Sequence, residues 1–91
     1  MLPVSDRTRA RPVVRLYTRE GCGLCVEARA MLEKHQRRFG FDIDEVDIET
    51  DPALHDRFFL EIPVIEADGE VIAKAPLSEK GLRNALEDAF R

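Results

Sequence analysis

The alternation of apolar and polar positions predicts seven short elements. Val13 to Thr18 (Val-Val-Arg-Leu-Tyr-Thr) is β-branched and aromatic, which predicts a strand, and Arg19-Glu20-Gly21 reads as a loop. From Gly23 to about Phe39 the period changes. Leu24, Cys25, Ala28, Met31, Leu32 and His35 recur at three- and four-residue steps, with Glu27, Arg29, Glu33, Lys34 and Arg37 opposite, as in an amphipathic helix. Gly40 suits the end of that helix. Phe41 to Ile48 reads as a second strand. Its apolar positions change phase, from Phe41 and Ile43 to Val46 and Ile48, which predicts a bulge or a late start.

Thr50 or Asp51 suits the cap of a short helix opened by Pro52 and running to about Phe59, with Leu54 and Phe58 inward. Pro63 interrupts, and Val64 to Ala67 follows as a strand. Asp68-Gly69 is a hairpin signal, because a two-residue turn of this kind needs positive φ at both central positions, and Glu70 to Ala73 is the return strand. Ser78 caps a last helix with Leu82, Ala85, Leu86, Ala89 and Phe90 on one face. The order β-α-β-α-β-β-α favours a parallel first pair with a right-handed crossover and an antiparallel hairpin. A mixed four-stranded sheet with helices on both faces, an α/β fold, accommodates both.

A length of 91 residues predicts one domain, over residues 12–91. Residues 1–11, with Asp6, Arg7, Arg9 and Arg11, read as a polar, disordered leader; the arginines are a weak candidate for anionic-surface contact. That stretch lacks the apolar core of a secretory signal, and no apolar run approaches the roughly 20 residues that span a bilayer. The expectation is a cytoplasmic protein without a membrane partner. A net charge of −4, with scattered basic residues, argues against a nucleic-acid partner.

The chemistry concentrates at Cys22 and Cys25, the only two cysteines. A disulfide enclosing two residues closes almost no loop and adds little stability, so the spacing calls for a chemical reason. Cys22 follows a predicted strand and precedes a predicted helix. Its sulfur then lies near unpaired backbone N–H groups and the positive end of the helix dipole, which favour the reactive thiolate. Cys25, one turn on, is placed to reach it. Gly21 and Gly23 leave room for a partner's backbone. Zinc is disfavoured: His35 lies roughly 15 Å along the helix from Cys25, and nothing places His55 nearby. No metal site is expected within one chain.

These residues resemble the glutaredoxin-like branch of the thioredoxin superfamily. Val13 to Thr18 followed by Cys22-Gly-Leu-Cys25 is similar to that family's first strand and active-site turn. Val46-Asp47-Ile48-Glu49 is similar to its second strand, and Glu61-Ile62-Pro63-Val64 to the segment whose proline is cis and faces the active site. The resemblance implies a thioredoxin-like fold and a thiol–disulfide oxidoreductase acting on protein or glutathione disulfides. Cys22 would be the nucleophile and Cys25 the resolving thiol. Arg19, Gly23, Leu24, Ile62 and Pro63 would bind substrate, with the Ile62 backbone N–H and C=O pairing with a substrate chain. No tightly bound cofactor is implied. Glutathione is a possible co-substrate, glutathione or a reductase the electron donor, and a monomer the expected state. Gly23-Leu24 stands where glutaredoxins usually carry Pro-Tyr, and Arg19 at about the place of a lysine. Ala73 to Ser78 lacks the glycine pair and acid that help hold glutathione. Two other readings stay open: an iron–sulfur or metal carrier formed by two chains, and a non-catalytic adaptor.

Overall fold

The computed structural model describes residues 11–91. The leader expected over residues 1–11, and its proposed surface contact, lie outside the described residues apart from Arg11. Arg11 donates from Nε to Asp42 Oδ1 at 2.8 Å and from Nη2 to the Phe41 carbonyl at 3.0 Å.

The chain runs β1 (Val13–Thr18), α1 (Gly23–Phe39), β2 (Asp42–Asp47), a 3-10 turn (Ile48–Thr50), α2 (Pro52–Phe58), β3 (Val64–Ala67), β4 (Glu70–Lys74) and α3 (Glu79–Ala89). The sheet order is β2-β1-β3-β4. β1 lies parallel to β2, in register from Val13 opposite Asp42 to Thr18 opposite Asp47. β1 is antiparallel to β3, and β3 to β4. The α/β fold with a mixed sheet is therefore as the sequence predicts. No helix among the described residues is long and apolar enough to cross a membrane.

The two faces of the sheet carry separate cores. On one, Val14, Leu16, Ile65 and Ala67 from the strands meet Ala28 and Leu32 of α1 and Leu82 and Leu86 of α3. On the other, Tyr17 and Val64 meet Phe58 of α2 and Ile48, and the rings of Tyr17 and Phe58 lie 4.6 Å apart. This alternation explains the phase change along β2. Ile43 packs on the first core and Val46 on the second, so no bulge is needed there. Phe41 and Ile48, read as strand, flank it: Phe41 precedes β2 and Ile48 opens the 3-10 turn. The register shift occurs instead in the hairpin, between Ile65 and Glu66.

Local chemistry sets most ends. Gly40 closes α1, its N–H donating to the Gln36 carbonyl at 2.8 Å. Asp51, rather than Thr50, caps α2, which ends at Phe58. Asp68 and Gly69 have φ of 54° and 80°, the left-handed conformations the hairpin turn demands. Ser78 Oγ accepts from the Gly81 N–H at 2.9 Å to start α3. Ala89, expected on the inner face of α3, is exposed. Lys34 of α1 reaches Glu79 at the start of α3, Nζ to Oε2 at 2.6 Å, and holds that carboxyl below its ordinary range. The contribution of this pair is present above the ordinary glutamate range and is lost as pH falls through the lowered value.

Leu32 is fully buried between α1 and the sheet, whereas Leu60 is 82% exposed. Leu32→Ala is expected to destabilise the fold by about 2–5 kcal/mol in urea unfolding, and Leu60→Ser by no more than about 0.5 kcal/mol.

Candidate active site

β1 ends at the buried Thr18, and Arg19 to Gly21 turn the chain toward α1. Gly21 has φ +82°, a conformation that residues with a Cβ seldom adopt, so the turn requires glycine. Cys22 follows in extended conformation as the N-cap of α1. Its Sγ accepts a hydrogen bond from the Cys25 N–H at 3.1 Å, and its carbonyl accepts from the Val26 N–H at 3.2 Å. A sulfur thus takes the role usual for a serine or aspartate oxygen. The first turn of α1 carries no acidic residue, unlike that of α3, which contains Glu79. The positive end of the α1 dipole is therefore left to the sulfur.

Cys22 and Cys25 are joined as a disulfide, with Cα atoms 5.2 Å apart. Cys22 is half-buried, whereas Cys25 is only 3% exposed and belongs to the core. Of the pair, Cys22 is thus the more exposed residue and Cys25 the screened one.

On the β2 side of Cys22 lies an open cleft of about 760 Å³, walled by Arg19, Glu20, Gly23, Glu45 and Asp47. Arg19 Nε is 3.5 Å from Glu49 Oε2, and His55 Nε2 is 3.7 Å from the same oxygen. Arg29 pairs with Glu45 at 2.7 Å and with Glu33 at 3.0 Å. Both arginines beside the cleft are thus occupied by carboxylates. Sequence reading singled out Arg19 and missed Glu20, Glu45, Asp47 and Glu49. The signal for Asp47 was the parallel pairing itself, which sets it opposite Thr18 at the mouth of the site.

On the other side a small groove of about 90 Å³ runs between Leu24, Glu27 and Met31 of α1 and Pro63 and Leu77. Leu24, read as part of the buried stripe of α1, is 58% exposed, and Val26 is 70% exposed. Pro63 is fully buried, and its carbonyl accepts from the Ala75 N–H at 3.1 Å. The Ile62–Pro63 and Ala75–Pro76 peptide bonds are cis; nothing in the residue pattern had singled out the second. The Ile62 N–H donates to the Phe58 carbonyl at 3.1 Å. It is therefore spent within the chain, contrary to the expectation that it pairs with a substrate.

Phe58 is a core residue, while Phe59 is exposed and stacks on His55, with ring centroids 5.1 Å apart. His35, on the apolar face of α1, packs beside Phe39 with its Nε2 buried and without a hydrogen-bond partner. The described residues include no group of three or more His, Cys, Asp or Glu side chains placed to hold a metal ion.

Known proteins resemble this chain in sequence or in fold. An uncharacterised protein of Mycobacterium tuberculosis is 32% identical over 79 residues, covering 81% of each chain. A Xanthomonas campestris protein solved by X-ray crystallography superposes with a TM-score of 0.72 at 28% identity, over 84% of this chain and 97% of that one. A thioredoxin from Halobacterium salinarum shares the fold, with a TM-score of 0.65 at 20% identity, over 97% of this chain and 83% of that one. The family model for the glutaredoxin-like domain (DUF836) matches residues 13–87, from β1 through most of α3, and this chain belongs to that family.

Proposed function

We propose that this chain is a thiol–disulfide oxidoreductase in which Cys22 is the nucleophile and Cys25 the resolving thiol. The observation that carries the reading is the asymmetry of one bonded pair: a half-buried cysteine whose sulfur caps a helix, and a buried cysteine one turn behind it.

The reaction starts from the reduced pair. The Cys22 thiolate attacks one sulfur of a substrate disulfide; that S–S bond breaks, and the departing thiolate takes a proton from solvent. The product is a mixed disulfide between Cys22 and the substrate. Cys25 then loses its proton and attacks Cys22 Sγ, forming the Cys22–Cys25 bond and expelling the second substrate thiolate, which is protonated in turn. Two electrons pass from the cysteine pair to the substrate. An external thiol or dithiol reductant returns the pair to its reduced state by the same exchange in reverse.

The chain's own groups serve this chemistry at stated atoms. The Cys25 N–H supports charge on Cys22 Sγ, and the α1 dipole adds to it. Burial of Cys25 disfavours its thiolate until the mixed disulfide draws it into reaction. Pro63 and Leu24 form the walls against which a substrate chain lies.

Turnover is measured with insulin and with a peptide mixed disulfide, coupled either to glutathione and its reductase or to thioredoxin reductase. The wild-type chain is expected to turn over in at least one coupled system, and Cys22→Ser to lose activity in both. Cys25→Ser is expected to accumulate a mixed disulfide visible by mass spectrometry; loss of activity in Cys25→Ser with retention in Cys22→Ser would reverse the assignment. Alkylation of the reduced protein as a function of pH is expected to give Cys22 a pKa below that of an ordinary cysteine, and an ordinary value would overturn its role as the activated sulfur.

A further inference from the structure

Charge is unevenly distributed around the reactive sulfur. The cleft beside Cys22 is lined by Glu20, Glu45 and Asp47. Glu27 borders the groove on the other side. Of these carboxylates, Glu45 meets Arg29, but Arg29 is shared with Glu33. Arg19, the cation that lines the cleft, is engaged by Glu49. Glu20, Glu27 and Asp47 form no ion pair among the described residues and are exposed. The field at the site is therefore negative, and a cleft lined by one sign of charge concentrates the opposite sign.

Size adds a second constraint. The apolar groove of about 90 Å³ holds one side chain, well short of the roughly 300 Å³ or more of ordinary small-molecule sites. The larger cleft is the acidic one. A net anionic tripeptide such as glutathione thus meets either a groove too small for it or a wall of carboxylates. Leu24 and Val26, exposed on the same end of α1, offer apolar contact that only a longer partner uses fully.

We infer, building on the oxidoreductase reading, that the preferred substrate is a polypeptide disulfide with lysine or arginine beside its half-cystine and one apolar side chain seated between Leu24 and Pro63. The basic flank sits over Glu20 and Asp47, and the apolar residue fills the groove. Both steps of exchange are those already described; the charge pattern sets which disulfide arrives.

The test measures second-order rates of oxidation of the reduced wild-type chain by a set of disulfides. Peptide disulfides of one sequence, carrying leucine on one side of cysteine and Lys, Gln or Glu on the other, are compared with glutathione disulfide and with cystamine. Each rate is divided by that for dithiothreitol, which removes the intrinsic reactivity of the disulfide. At about 10 mM ionic strength the Lys peptide is expected to react at least about tenfold faster than the Glu peptide and than glutathione disulfide, and the ratio to shrink to below about threefold at 0.5 M salt. Cystamine, cationic but without a side chain for the groove, is expected to fall below the Lys peptide. The combined variant Glu20→Gln, Glu27→Gln, Asp47→Asn is expected to compress the Lys-to-Glu ratio toward unity, and Glu20→Gln alone to lower it. Equal rates across the peptides, a ratio indifferent to salt, or glutathione disulfide or cystamine matching the Lys peptide would overturn the inference while leaving the redox reading intact. Failure of every disulfide to oxidise the pair would sink the redox reading itself.

Discussion

A hydrogen bond from the Cys25 amide to the Cys22 sulfur ties the fold to its chemistry. It is at once a helix cap and a charge stabiliser, and each role constrains the neighbours. As a cap it fixes the start of α1 at Gly23 and needs the sharp approach that Gly21 provides. As a charge stabiliser it benefits from a first turn free of acidic side chains. The same turn holds Cys25, which is buried, so the second residue of the pair is screened where the first is not. Accessibility and concealment of the two sulfurs are thus consequences of one helix start.

The sheet supplies the other half of the arrangement. Parallel pairing of β1 and β2 brings the carboxyl ends of two strands to one edge of the molecule, where Thr18 and Asp47 lie opposite each other. Cys22 is delivered from the first, and Glu45 and Asp47 from the second, so the cleft is a product of topology. The Pro63 segment arrives from the other side through β3, antiparallel to β1. The hydrogen bond from Ala75 to the Pro63 carbonyl joins the two proline-bearing segments along the groove.

What was legible in the chain was what is decided locally. The ends of α1, the Asp68-Gly69 turn and the Ser78 cap depend on residues within a few positions of each other, and all appear where the pattern puts them. The cysteine pair was legible for the same reason. Features set by distant partners were not. The phase change in β2 suggested a bulge or a late start; the strand begins one residue late, at Asp42, and the change of phase reflects that both faces of the sheet are covered at that end, which the sequence does not reveal. The true irregularity, between Ile65 and Glu66, arises from the fit of β3 against β4 and leaves no mark in composition. Leu24 shares the helical phase of the buried residues of α1 yet is exposed, and phase alone does not tell a position that packs on the core from one that borders a groove. The capture of Arg19 by Glu49 joins a loop to the 3-10 turn, and the capture of the Ile62 N–H by Phe58 depends on how α2 ends.

β2 forms one border of the sheet, and four of its six residues, Asp42, Asp44, Glu45 and Asp47, are acidic. A strand border that the described residues leave unpaired is a template on which a second molecule adds its own strand, and such addition repeats without limit into aggregates. Three of these carboxylates are paired with arginines, Asp42 with Arg11, Asp44 with Arg15 and Glu45 with Arg29, so the border is densely charged rather than apolar. Charged side chains along a border are one of the ways in which proteins discourage strand-to-strand addition, and the row that begins beside the reactive sulfur continues along this one.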